Sequence, residues 1–185
     1  MNPRSRAVKA AQKLLDSLGE NRLPVRIDEI AKKYAILQIE DISDEISGIL
    51  VPRPAESGRK WIIVVNKNHS IERRRFSMAH ELGHLVLHEY KTPHADGVKK
   101  VRFRDADSSL GTDRDEIEAN QFAAELLMPA KLLIPRLQQL GLGTWDDTAV
   151  KTSSSAVQKL AADFRVSEQA LVLRIGNLLH TDERY

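Results

Sequence analysis

The chain has 185 residues, 42% hydrophobic and 29% charged, a composition that suits a globular fold large enough to bury its own core. It has no cysteine, which excludes disulfide frameworks, thiol catalysis and every cysteine-ligated metal site. Its apolar runs, such as Trp61–Val65, are far shorter than the ~20 residues of a membrane span, and the charged amino terminus lacks a signal-peptide centre, so a cytoplasmic protein with no membrane partner is expected. The net charge of +2 is unevenly spread. Residues 1–104 carry 20 Lys/Arg against 13 Asp/Glu, and residues 105–185 carry 8 against 13.

In chain order, residues 3–18 predict a helix with Ala7, Ala10, Ala11, Leu14, Leu15 and Leu18 on one stripe, ended by Gly19. Arg6, Lys9 and Lys13 lie off that stripe. Ile27–Tyr34 predicts a shorter helix. Strand-like segments follow at Ile36–Ile42, Ser47–Val51 and Trp61–Asn66, and the turns between them suggest an antiparallel meander. Trp61–Asn66 alternates poorly and suits the core, although an edge there could accept a substrate strand. Ser70 is a candidate cap for a long helix to about His88, whose opening Arg73-Arg74-Arg75 suits a solvated turn. Residues 89–112 predict an irregular loop with a short strand at Val98–Phe103. Helices are then expected over Asp113–Met128, Ala130–Leu140, Ser155–Phe164 and Ser167–Leu179.

This order implies an α+β fold: a small antiparallel sheet packed on a helical core, followed by a helix-turn-helix-like segment. We expect one unit over 1–140 and a second over 141–185. The final helix offers only Arg174 as a basic residue, poor for neutralising phosphates, so direct DNA binding is not expected.

The chemistry concentrates in His80-Glu81-Leu82-Gly83-His84. Histidines four apart on a helix share a face and can reach one metal, and a carboxylate beside them can take a proton from an attacking water. Three fixed positions in a chain of this length arise by chance roughly 2% of the time, so context must carry the rest. A catalytic zinc normally has three protein ligands and one open position. The helix after Asp113 offers Glu116 on the extension of its apolar stripe, with Glu118 as the alternative. Asn120 could then hydrogen-bond a ligand histidine's other nitrogen. His88 shares the face of His80 but lies too far along the axis to join the same ion, and suits packing or support of the site. Tyr90 and His94 are candidates for stabilising an oxyanion. Gly83 could allow a neighbouring element close to the metal helix.

Arg75–His88, then Phe103-Arg104-Asp105, then Glu116–Pro129, resemble the ImmA/IrrE family of zinc metallopeptidases. The similarity covers Ile27–Pro129 and, more loosely, Leu160–Ser167. The resemblance implies a gluzincin-like, zincin-type core holding one Zn²⁺ on His80, His84 and Glu116, with Glu81 as base. It further implies an endopeptidase that cuts a helix-turn-helix repressor protein to derepress genes, in transcription regulation or stress response. The competing expectation is a metal-bearing regulatory protein that binds a repressor or DNA without cutting.

Overall fold

A computed structural model describes residues 3–53, 61–88, 94–96, 106–140 and 154–179; for residues 3–4, 94–96, 106–113, 154 and 179 the backbone alone is described. Helix α1 (Pro3–Ser17) buries Ala7, Ala11, Leu14 and Leu15, the expected stripe. Gly19 closes it at φ +60, while the Glu20 amide donates back to the Leu15 carbonyl, a left-handed cap that glycine adopts without strain. Helix α2 (Ile27–Tyr34) buries Ile27, Ile30 and Ala31.

Three strands follow: β1 (Ile36–Glu40), β2 (Gly48–Pro52) and β3 (Trp61–Asn66), with a short β4 (His94–Asp96) later in the chain. The sheet order is β1-β3-β2-β4. The α+β class is as expected, but the meander is corrected. β3 inserts between β1 and β2, pairing parallel with β1 (Ile36 opposite Ile62) and antiparallel with β2 (Leu50 opposite Ile63). The apolar run Ile62–Val65 explains this, because a strand apolar on both faces belongs at the centre of a sheet. β1 carries Gln38 and Glu40 and takes an edge. A central strand has no free edge, so β3 cannot be the strand that accepts a substrate.

Asn66 is fully buried and organises the turn into β2. Its Nδ2 donates to the carbonyls of Ile42, Ser43 and Ile46 at 3.0–3.2 Å, and its Oδ1 accepts from the Asn68 amide.

Helix α3 (Ile71–Leu87) begins as expected at Ser70, whose hydroxyl accepts from the Arg73 amide at 3.3 Å. Its arginines form a solvated turn only in part: Arg73 is exposed and Arg74 half-buried, yet two of the three side chains are tied down. Arg73 donates twice to the Ser47 hydroxyl, and Arg75 is buried, donating to the carbonyls of Val25 and Arg165. Helix α4 (Ala106–Leu127) starts seven residues before the expected Asp113, so the end of the predicted loop is helical. The expected strand at Val98–Phe103 lies outside the described residues. Helices α5 (Ala130–Gln139), α6 (Ser154–Phe164) and α7 (Glu168–Leu179) match their expected spans closely.

One apolar cluster joins α1, α2, the sheet, α3 and α4 to Phe164, Leu171 and Ile175 of the last two helices. Buried Arg174 of α7 pairs with buried Glu125 of α4 and also donates to the Met128 carbonyl. Among the described residues, no helix is long and apolar enough to cross a membrane.

Candidate metal centre

Helices α3 and α4 cross at Gly83. A methyl group there would lie 3.2 Å from the Ala119 Cα and 3.1 Å from Phe122 Cδ1, closer than such atoms normally approach. The missing side chain therefore lets α4 lie against α3, and this brings the side chains of the α4 turn 116–120 onto the two histidines.

His80 and His84 are buried, with their Nε2 atoms 2.9 Å apart. Glu116 reaches both, with one carboxylate oxygen 3.3 Å from His80 Nε2 and the other 3.6 Å from His84 Nε2. Asn120 Oδ1 stands 3.0 Å from His80 Nδ1. With the Nδ1–H donating to that oxygen, the lone pair of His80 sits on Nε2 and faces the cluster. Ligands at ~2.0–2.1 Å around a tetrahedral zinc are separated by about 3.3 Å. The observed 2.9, 3.3 and 3.6 Å bracket that spacing, so the donor set fits one ion of this size. Among the described residues, His80, His84 and Glu116 form the group able to hold a metal ion.

Glu81 is fully buried, and its carboxylate lies against the start of β2. A Cβ at Gly48 would lie 2.8 Å from its Oε1 and 3.1 Å from its Cγ, so the glycine makes room for this carboxylate. Sequence reasoning missed that role. The available signal was a glycine opening an otherwise apolar strand, which often marks a close approach.

Glu118, the alternative ligand, meets different partners. It is fully buried, accepts from Arg6 Nη1 at 2.8 Å and from Arg114 Nε at 3.3 Å, and lies 4.0 Å from His88 Nδ1. Arg6 was expected merely to lie off the α1 stripe. It instead ties α1 to the end of α3, its Nη2 donating to the Leu87 carbonyl at 2.6 Å. His88 caps α3 in extended backbone, with Nδ1 3.3 Å from Asp115. Burial holds its pKa below the ordinary histidine value, although Asp115 and Glu118 pull the other way. Its ring tilts against that of His84 with centroids 5.6 Å apart. Tyr90 lies outside the described residues, as does the side chain of His94.

Residues 40–176, well over half of the chain, match the IrrE N-terminal-like domain of peptidase family M78. The chain belongs to this family. A relative within reach of the curated proteins is an uncharacterized immunity region protein 2 of Bacillus phage phi105, 39% identical over 71 residues. That match covers 38% of this chain and 40% of the phage protein. Membership in a peptidase family agrees with the chemistry of the cluster: two imidazoles and a carboxylate suited to a metal, with a second, buried carboxylate next to His80 in the chain and seated against Gly48.

Proposed function

We propose that the chain is a zinc-dependent endopeptidase that works in the cytoplasm. Its substrate in this reading is a helix-turn-helix repressor, whose cleavage releases the genes it silences. The observation that carries the reading is the division of labour between two carboxylates. Glu116 sits within 3.6 Å of both histidine Nε2 atoms, while buried Glu81 lies against Gly48. The relative from a phage immunity region is consistent with a repressor-linked partner.

In this reading His80, His84 and Glu116 hold the ion, and Asn120 fixes the ring of His80. A bound zinc supplies Lewis acidity to the scissile carbonyl and to the attacking water. Glu81 accepts the water proton on a carboxylate oxygen as the new C–O bond forms, then delivers it to the departing amine as the C–N bond breaks. The tight seat against Gly48 limits the positions that carboxylate can take, which keeps the proton acceptor near its path.

Glu81→Gln tests this. The variant should bind close to one zinc per chain while cleavage of a co-expressed repressor falls by about 10²–10⁴, the range typical of a lost general base. Derepression should vanish with it. Derepression that survives in this variant would favour a protein that acts by binding alone.

A further inference from the structure

The sheet ends at β1, and among the described residues no strand pairs with its outer side. The Glu40 carbonyl accepts from the Lys67 amide at 2.8 Å, so the backbone groups of Ile36, Gln38 and Glu40 face β3. Amides and carbonyls of successive strand residues point to opposite sides, and those of Leu37 and Ile39 therefore face outward. Proteins that stay single blunt such an edge with proline, lysine or a bulge. Ile36–Glu40 has no proline or lysine and pairs with β3 residue for residue.

The side chains stop short at the same place. Leu37 and Ile39 share the face of their register partners Ile63 and Val65, both fully buried. Leu37 packs against the core, but Ile39 is 47% exposed because the apolar row ends there.

A second copy of the same strand continues that row. With the two copies antiparallel about a two-fold axis at the strand midpoint, Gln38, Leu37 of each copy faces Ile39 of the other. These are the residues whose backbone groups face outward, so each facing pair can exchange both N–H···O bonds. The charges agree with this direction. Glu40-Asp41 at the exit of one strand runs toward Lys32-Lys33 at the entry to the other, and all four side chains are exposed. A parallel arrangement would set Glu40 beside Glu40, a destabilising pair.

We propose that the outer edge of β1 is a self-association surface, on which two copies of the chain join β1 to β1, antiparallel and centred on Gln38, into one eight-stranded sheet. This pairing does not rest on the peptidase reading.

Sedimentation equilibrium of the full chain over about 1–500 μM should show the mass rising from one copy toward two. Ile39→Lys sets a charge against the other copy's Leu37 and should weaken association at least about tenfold, with the melting temperature near wild type because the side chain is exposed. Cysteines read the register, since the natural chain has none. Two Gln38→Cys thiols would face each other across a pair with Cα atoms about 4.5 Å apart, within disulfide range. Two Glu40→Cys thiols would stand four residues apart along the ladder, about 13 Å, beyond that range. Under mild oxidation Gln38→Cys should form a covalent dimer at least about tenfold faster than Glu40→Cys. A wild-type chain that stays at one copy across the range overturns the proposal and leaves the edge to a strand of another protein. Equal association in the wild type and Ile39→Lys overturns it, as does equal cross-linking of the two cysteine variants. Should Ile39→Lys fail to fold, the cross-linking ratio decides.

Discussion

Glu116 and Glu118 stand two positions apart on α4 and meet opposite surroundings. The first faces two imidazoles; the second is gripped by the guanidinium groups of Arg6 and Arg114. A carboxylate so occupied has fewer lone pairs to offer an ion, and turning it toward His80 would break two charge-assisted hydrogen bonds. Glu116→Ala should therefore weaken zinc binding by more than the ~10–100-fold seen when outer residues of metal sites are removed. Glu118→Gln should leave the affinity within about threefold and cost about 1 kcal/mol of stability, since its arginine partners are half exposed. Titration against a chromogenic chelator separates the two, and the reverse ranking would move Glu118 into the ligand set. The sequence left this choice open because helical spacing places side chains on faces but does not say which distant arginine meets them. Arg6 is 112 residues away from Glu118.

At the scale of elements, Gly48 and Gly83 do related work in opposite places, one admitting a side chain and the other a whole helix. Gly48→Ala puts a methyl group 2.8 Å from Glu81 Oε1, the mobile end of a side chain, so the carboxylate should yield and the fold should persist. Cleavage should fall by about tenfold to a hundredfold, the range a misplacement near 1 Å produces. Zinc content and melting temperature should stay near wild type, which calorimetry and metal analysis would show. Helices were legible in the sequence because each amphipathic stripe or cap is local: the Leu14–Leu15 stripe of α1 and the Ser70 cap of α3 need only their neighbours. Strand partners were not. The alternation of β1 is compatible with any neighbour, and the parallel pairing of Ile36 with Ile62 is decided by which strand is apolar on both faces. The start of α4 was missed for a related reason, since Ser108, Ser109 and Gly111 disfavour a helix locally.

Across the whole molecule, the buried pair of Arg174 and Glu125 fastens α7 to the far end of α4, where Gln12 of α1 also donates to Glu125 at 3.1 Å. Arg174→Ala would leave a carboxylate 1% exposed without its cation. Breaking one side of such a pair costs about 3–5 kcal/mol, so the midpoint of urea unfolding should drop sharply. Replacing both partners with apolar residues should cost much less, and a double variant as unstable as the single would count against this account. The last two helices have the outline of a nucleic-acid reader, but the one basic side chain of the second is turned inward. Burial lowers the pKa of that guanidinium while Glu125 pulls it back up. Sequence alone revealed the poverty of positive charge on this segment, whereas its attachment to the helix of Glu116 required the third dimension.

The family match opens at residue 40, yet α1 and α2 end by residue 34. Arg6, Ala7, Ala11, Gln12 and Leu15 all come from that leading stretch, and they supply one wall of the interior behind α4 as well as the clasp on the last carbonyl of α3. Likeness and packing thus draw different borders for the same body. Trimming this chain to its recognisable portion would peel away the backing on which the two rods that carry His80, His84 and Glu116 lean.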